Sequence, residues 1–223
     1  MFIAAPLDSD DTERVYRAGQ TSQGYVMNLA RAWAWRPDVF DGFAALRNQL
    51  TGASAFSKKE LAVMVCSAAA ERGDPYCALA WGKTLAQESR PETAAAVIQG
   101  AGAVDLSERE RALAAWARQV ARDPNLATPG DVEALRKAGF GDREVFEATV
   151  FIAFRIAFST VNDALGVQPD AEMVASVPDA VRAAVTFGRP LQHACPVYPG
   201  EADEGGVAAD GAAASHRDHP RRP

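Results

Sequence analysis

The stretch Glu60-Leu-Ala-Val-Met-Val-Cys66-Ser-Ala-Ala-Ala-Glu71-Arg-Gly-Asp74-Pro-Tyr76-Cys77-Ala-Leu-Ala-Trp81-Gly-Lys83 decides the fold. It has no period-two alternation, and its Ala, Leu, Met and Glu favour helix. Ser57-Lys-Lys-Glu60 at its start is a capping box, in which the serine hydroxyl accepts from an orphan backbone N–H and the glutamate reaches back. Arg72-Gly73 ends the first helix. Asp74-Pro75 opens the second, with Asp as N-cap and Pro at the first helical position. Cys77 therefore falls in the first turn of a helix, where unsatisfied N–H groups and the positive end of the dipole favour a thiolate. Asp74 opposes this, since a nearby carboxylate disfavours a second negative charge. The two effects are of similar size, so the expected thiol is close to its ordinary pKa.

Outward from this hairpin the pattern stays helical. Segments at about 10–18, 23–35, 37–50, 57–71, 75–88, 91–99, 107–122, 129–138, 142–165 and 178–186 read as helices. Ser107-Glu-Arg-Glu110 is a second capping box, and Pro37, Pro91 and Pro129 fit first-turn positions. Glu144 to Leu165 is the most apolar helix and is expected at the centre, with two similar halves packed on it. Phe56-Ser57-Lys-Lys-Glu60-Leu-Ala resembles Leu106-Ser107-Glu-Arg-Glu110-Arg-Ala at a spacing of 50 residues. That is either a duplicated unit or two independent capping boxes. The fold class is all-α. Residues 1–195 form the expected helical domain. Residues 196–223, rich in Gly, Ala, Pro and charge, form an expected disordered tail, too poor in apolar groups to offset the entropy of ordering.

Composition excludes several classes. The chain has 223 residues, 48% hydrophobic and 23% charged, with a net charge of −6. Basic residues are scattered among acids, so no nucleic-acid footprint is expected. No apolar run is long enough for a membrane span, and the N-terminus makes a poor signal peptide. Three cysteines, an odd count, fit a reducing, cytoplasmic setting without a disulfide framework. The three histidines lie at 193, 216 and 219, all beyond the last expected helix, so the helical segments are without histidine-dependent triads. No Gly-x-Gly-x-x-Gly, P-loop or histidine cluster is present, and no metal, nucleotide or flavin cofactor is expected.

The candidate site residues each carry two readings. Cys77 is a nucleophile or redox centre, or a small buried hydrophobe in a helix seam. Cys66, mid-helix in an apolar run, reads as core, and Cys195 as an idle thiol. Glu60 completes its capping box, or serves as a proton acceptor near Cys77. Asp74 is an N-cap, or an acid/base group. Trp81, one turn beyond Cys77 on the same face, is a core aromatic or the wall of an apolar pocket, with Tyr76 beside it. Arg155, inside an apolar helix, needs a partner: Glu60, Asp74 or Asp163 in an ion pair, or a substrate carboxylate.

These residues resemble the carboxymuconolactone decarboxylase superfamily, and within it the alkylhydroperoxidase D-like, peroxidase-related proteins. Those proteins carry a Glu on a helix, then Asn-Gly-Cys-x-x-Cys, then a His four residues on. The parallels here are Glu60, Arg72-Gly73-Asp74-Pro-Tyr-Cys77 and Trp81. Leu106-Ser-Glu-Arg-Glu-Arg-Ala-Leu113, Asp131-Val-Glu-Ala-Leu-Arg-Lys-Ala-Gly-Phe-Gly-Asp-Arg-Glu144 and Asn162-Asp-Ala-Leu-Gly-Val167 also look like segments of that family. The resemblance spans roughly residues 25–170. It implies a helical bundle with a site at Cys77, Glu60 and Asp74, lined by Trp81, Tyr76 and Arg155. It also implies a homo-oligomer, a trimer or a hexamer, acting on a small molecule.

The departures shape the expected activity. Asp74 stands for the first cysteine of the redox pair and Trp81 for the histidine. The step from Glu60 to 74 is about two residues longer, and Ser159-Thr160 replaces an Asn-Arg pair. A dithiol cycle is therefore unavailable. What the resemblance implies is a one-cysteine, peroxiredoxin-type antioxidant activity dependent on an external thiol. The alternatives are acid/base decarboxylase or isomerase chemistry on a small carboxylated substrate, or a non-catalytic oligomeric ligand-binding paralogue.

Overall fold

The computed structural model describes residues 1–52, 54–102 and 105–189. Those residues are helical and contain no strand. The expected tail at 196–223, Cys195 and the three histidines lie outside the described residues. Helices run α1 (Asp10–Gln23), α2 (Asn28–Trp33), α3 (Pro37–Gly52), α4 (Lys58–Arg72), α5 (Pro75–Glu88), α6 (Pro91–Gln99), α7 (Glu108–Arg122), α8 (Pro129–Lys137), α9 (Asp142–Ala164), α10 (Ala171–Ser176) and α11 (Asp179–Ala184), with a 3-10 turn at Pro124–Leu126. The caps form as read. Ser57 Oγ accepts from Glu60 N and Ser107 Oγ from Glu110 N, while each glutamate accepts from its own cap N–H.

The centre of the molecule is α4, not α9 as its composition suggested. Every residue from Glu60 to Ala69 is buried. A helix apolar around its whole circumference has neighbours on all sides, and α4 packs against α5, α6, α7 and α9. The longer α9 keeps an outer face, with Phe146 67% and Val161 37% exposed. Its apolar character reflects length and two-sided packing rather than enclosure. The 23–35 segment is also shorter than its pattern suggested. α1 runs on to Gln23, and Gly24 caps it at φ 85° before α2 begins at Asn28. The short α10 was not foreseen, because six residues carry too little periodicity.

Around α4 the packing is close. Trp33 stacks on Phe158 at 5.0 Å and lies 4.9 Å from Phe43, and its Nε1–H donates to Asn162 at 2.8 Å. This cluster ties α2 and α3 to α9. Gly82 on α5 faces Val181 and Ile98 so closely that a Cβ would sit 2.6 Å from Val181 Cγ1. Only glycine lets α5 approach α6 and α11 there. Among the described residues, no helix is long and apolar enough to cross a membrane.

Candidate active site

The α4–α5 turn builds the site. Gly73 adopts φ 70° and ends α4 with its N–H returned to the last carbonyls. Asp74, fully buried, then caps α5, and its Oδ1 accepts from Cys77 N at 2.9 Å. This fixes Cys77 in the first turn, 3% exposed and facing α9. From α9, Arg155 and Ser159 arrive one turn apart, as an i, i+4 pair on one face. Arg155 Nη2 donates to Cys77 Sγ at 3.1 Å, and Ser159 Oγ lies 3.4 Å from the same sulfur. The Ser159 hydroxyl also donates to Asp74 Oδ2. Sulfur, hydroxyl, carboxylate and guanidinium thus form one buried cluster.

Arg155 has none of the ion-pair partners foreseen for it. Its guanidinium lies between two rings, with Cζ 5.4 Å from the centre of Trp81 and 5.2 Å from that of Phe158. Its Nε–H is buried and has no acceptor among the described residues. Trp81 meets Phe151 edge-on at 6.4 Å and forms one wall of the cluster. Between α4 and α9 a cavity of about 10 Å³ is bounded by Val65, Ala68, Ala69 and Arg72 on one side and Arg155, Ile156 and Ser159 on the other. A wider depression of about 540 Å³ runs along the outside of α1, lined by Asp10, Glu13, Arg14 and neighbours, and gathers no groups from other elements.

Two foreseen site residues lie elsewhere in role. Glu60 is nine residues before Ala69 on α4, about 13 Å along the helix axis at 1.5 Å per residue. One Glu60 oxygen serves its capping box and the other accepts from Arg109 Nε at 3.3 Å. It does not join Cys77, because α5 runs back antiparallel and places Cys77 at the opposite end of α4. Tyr76 is buried, but its hydroxyl donates to Asp170, whose other oxygen accepts from Asn28 N at 2.6 Å. That bond clamps α5 to the start of α2, and with burial it raises the tyrosine pKa well above its ordinary value.

The electrostatics also correct the expected near-ordinary thiol. Burial pushes Cys77 up to about 12; the Asp74 carboxylate adds to the rise, while Arg155 and Ser159 oppose it. Desolvation, which depends on what covers the sulfur, outweighs the helix terminus. Burial likewise raises Cys66, a free thiol in the core. Asp163, one turn beyond Ser159, is raised to about 7 by burial and by Asp74, against the pull of Arg189 and Arg72. The sequence named Ser159 only as a departure from a motif and gave it no role. Its signal was the spacing of Arg155, Ser159 and Asp163, three polar residues four apart on one face of α9.

No protein-family model and no curated protein matches the sequence. Solved structures do. An uncharacterised peroxidase-related protein from Ralstonia eutropha JMP134, described as an alkylhydroperoxidase AhpD core, is 24% identical with a TM-score of 0.68, over 84% of this chain and 97% of that one. A peroxidase-related protein from Silicibacter sp. TM1040 is 25% identical with a TM-score of 0.68, over 77% of this chain and 92% of that one. The debrominase Bmp8 is 17% identical with a TM-score of 0.67, over 81% of this chain and 98% of that one. With the sequence resemblance and the helical architecture in agreement, this chain has the alkylhydroperoxidase D-like fold, that of the carboxymuconolactone decarboxylase superfamily.

Proposed function

We propose that the protein is a one-cysteine thiol peroxidase acting through Cys77 and an external thiol. The observation that carries this reading is the 3.1 Å approach of Arg155 Nη2 to Cys77 Sγ, from a buried arginine that makes no direct ion pair among the described residues. A buried cation without a counter-ion is costly, and it is compensated when the sulfur becomes a thiolate. At rest Cys77 is a thiol. On activation its proton passes to Ser159 Oγ while Ser159 hands its own to Asp74, so Asp74 is the acid/base group. The thiolate attacks a peroxide oxygen, the S–O bond forms, and the O–O bond breaks. Asp74 returns the proton through Ser159 to the departing oxygen. The products are a Cys77 sulfenic acid and water or an alcohol. An outside thiol then condenses with the sulfenic acid, releasing water, and a second outside thiol frees Cys77 as a disulfide leaves. Asp74 occupies the place of a resolving cysteine, and Cys66 is enclosed in the core.

The test is hydrogen-peroxide-dependent oxidation of dithiothreitol by the purified protein and by Cys77→Ser. Turnover that Cys77→Ser abolishes supports the reading; full activity in Cys77→Ser sinks it. A second reading, acid/base chemistry on a small carboxylated substrate, is favoured by Asp163, half-buried on α9 one turn beyond Ser159, where burial and the charge of Asp74 push its carboxyl up to about 7. A lyase or isomerase activity that survives Cys77→Ser and is lost in Asp163→Asn would replace the first reading.

A further inference from the structure

The four members of the site are closed off from water: Asp74 is 0%, Cys77 3%, Ser159 6% and Arg155 8% exposed. A reagent that meets the sulfur must first move something aside. The packed helices α4, α5 and α9 enclose much of the cluster. At the α4–α5 turn the cover is of another kind. The chain leaves α11 as an irregular segment, and its Gly188 lies against the turn itself. A Cβ there would stand 2.6 Å from Pro75 Cδ and 2.7 Å from Gly73 O. Asp74 is the residue between these two, and Cys77 follows Pro75 by two. Among the described residues, no backbone–backbone hydrogen bond holds residues 186–189. Arg189 ties the segment down. Its Cζ lies 4.9 Å from the centre of the Phe2 ring, and its charge pulls on the Asp163 carboxyl. Phe2 is anchored at the end of α9, where its N–H donates to Leu165 O at 2.8 Å and its ring lies against Gly166. Phe2 and Arg189 thus meet at the end of α9 that carries Asp163.

We propose that residues 186–189 are a strap that gates Cys77: latched by Arg189 on Phe2 it seals the α4–α5 turn, and lifted it admits a reagent to the sulfur. An irregular segment with few fixed bonds opens at a lower free-energy cost than a helix packed on several sides. The latch is of the weaker kind, a guanidinium over a ring that is 70% exposed. The close fit is at Gly188. Its φ of 75° suits glycine, and its missing side chain lets the strap lie on Gly73 O and the Pro75 ring. Gly73 is the left-handed cap of α4 and Pro75 the first residue of α5, so both are fixed by their helices. Bulk at 188 therefore moves the strap and not the turn. Lifting it also lets water reach the cluster and favours the thiolate, since burial is the main cause of the raised Cys77 pKa. Access to the sulfur is needed whichever reaction the cluster performs, so the strap does not depend on the peroxidase reading.

The test follows iodoacetamide alkylation of Cys77 and Cys66 separately, by peptide mass spectrometry, in the full chain as wild type, Gly188→Ala and Phe2→Ala. Where opening and closing are fast against modification, labelling reads the open fraction. Gly188→Ala puts a methyl where Gly73 O and Pro75 stand. Cys77 labelling should rise about tenfold, which is about 1.4 kcal/mol of strap closure. Phe2→Ala removes only the latch, and a rise of about twofold to fivefold is expected. Cys66, fully buried in the core, reports opening of the whole fold, and its rate should stay within about twofold of wild type. A Cys77 rate unchanged in Gly188→Ala, or Cys66 rising in step with Cys77 in both variants, overturns the strap. If Gly188→Ala does not fold, Phe2→Ala decides, and an unchanged Cys77 rate there overturns it. Labelling involves no peroxide, so a failed strap leaves the peroxidase reading standing, and the loss of that reading does not alter the labelling result.

Discussion

Lys59 on α4 reaches Glu110 on α7 at 2.9 Å, and the same contact recurs in reverse, with Arg109 on α7 reaching Glu60 on α4 at 3.3 Å. Residues 59 and 60 stand 50 positions before 109 and 110. The faint repeat in the sequence is thus matched by a near-twofold contact between two equivalent helix starts. Both glutamates are buried at their capping boxes, and each is paired by the basic residue at the second position of the other helix.

Glu60 is therefore a structural carboxylate. Glu60→Gln keeps a capping side chain and loses the charge that Arg109 meets. We expect a stability loss of about 0.5–1 kcal/mol in urea unfolding, with Cys77 alkylation unchanged. A tenfold fall in Cys77 reactivity would place Glu60 in the site after all.

Asp74 acts on Cys77 in two opposed ways, and Asp74→Asn separates them. Asparagine is an equally good N-cap, so folding should survive. Removing the negative charge lowers the thiol pKa. Iodoacetamide labelling should then rise by about threefold to tenfold at fixed pH, half to one pKa unit. Peroxide turnover should fall, because the proton acceptor is gone. Turnover that rises with labelling would leave Asp74 as an electrostatic brake only.

Asp163 predicts a pH signature. Its folded pKa, about 7, lies above the unfolded value, since burial and Asp74 oppose ionisation while Arg72 and Arg189 favour it. The folded state therefore holds the proton more tightly, and stability from this group is present at low pH and lost as pH rises through 7. Asp163→Asn removes the penalty. The variant should exceed wild type by about 1–2 kcal/mol at pH 8, a figure reduced because the group is half-exposed. The gain should shrink towards zero near pH 4. Urea midpoints at pH 4.5, 6 and 8 check this, and a pH-independent difference contradicts it.

The homo-oligomer that the resemblance implies needs an exposed apolar surface. Trp33, Phe40 and Phe43 are consumed in an internal aromatic cluster with Phe158. Exposed apolar groups remain at Trp35 on the α2–α3 connection and at Phe146 and Val161 on the outer face of α9. Light scattering should still give a mass above that of one chain at micromolar concentration, and Phe146→Glu should lower it. A clean monomer in the parent protein would end the oligomer expectation.

Local signals in the sequence specified the local structure. Ser57, Glu60, Gly73, Asp74, Pro75 and Ser107 are short-range devices whose hydrogen bonds close within a few residues, so the α4–α5 turn, both capping boxes and the first-turn position of Cys77 were legible without a fold. The all-helical class followed from the same caps and from composition. Three things depended on tertiary structure: which helix lies at the centre, that Glu60 and Tyr76 face away from Cys77, and that Arg155 and Ser159 face towards it. These are decided by how residues some 80 positions apart pack, and no local pattern encodes that distance. The thiol is the clearest case. Its helix position was readable from Asp74 and Pro75, but its pKa is governed by how much water the neighbouring helices remove, and desolvation exists only once α4, α5 and α9 have closed around the sulfur.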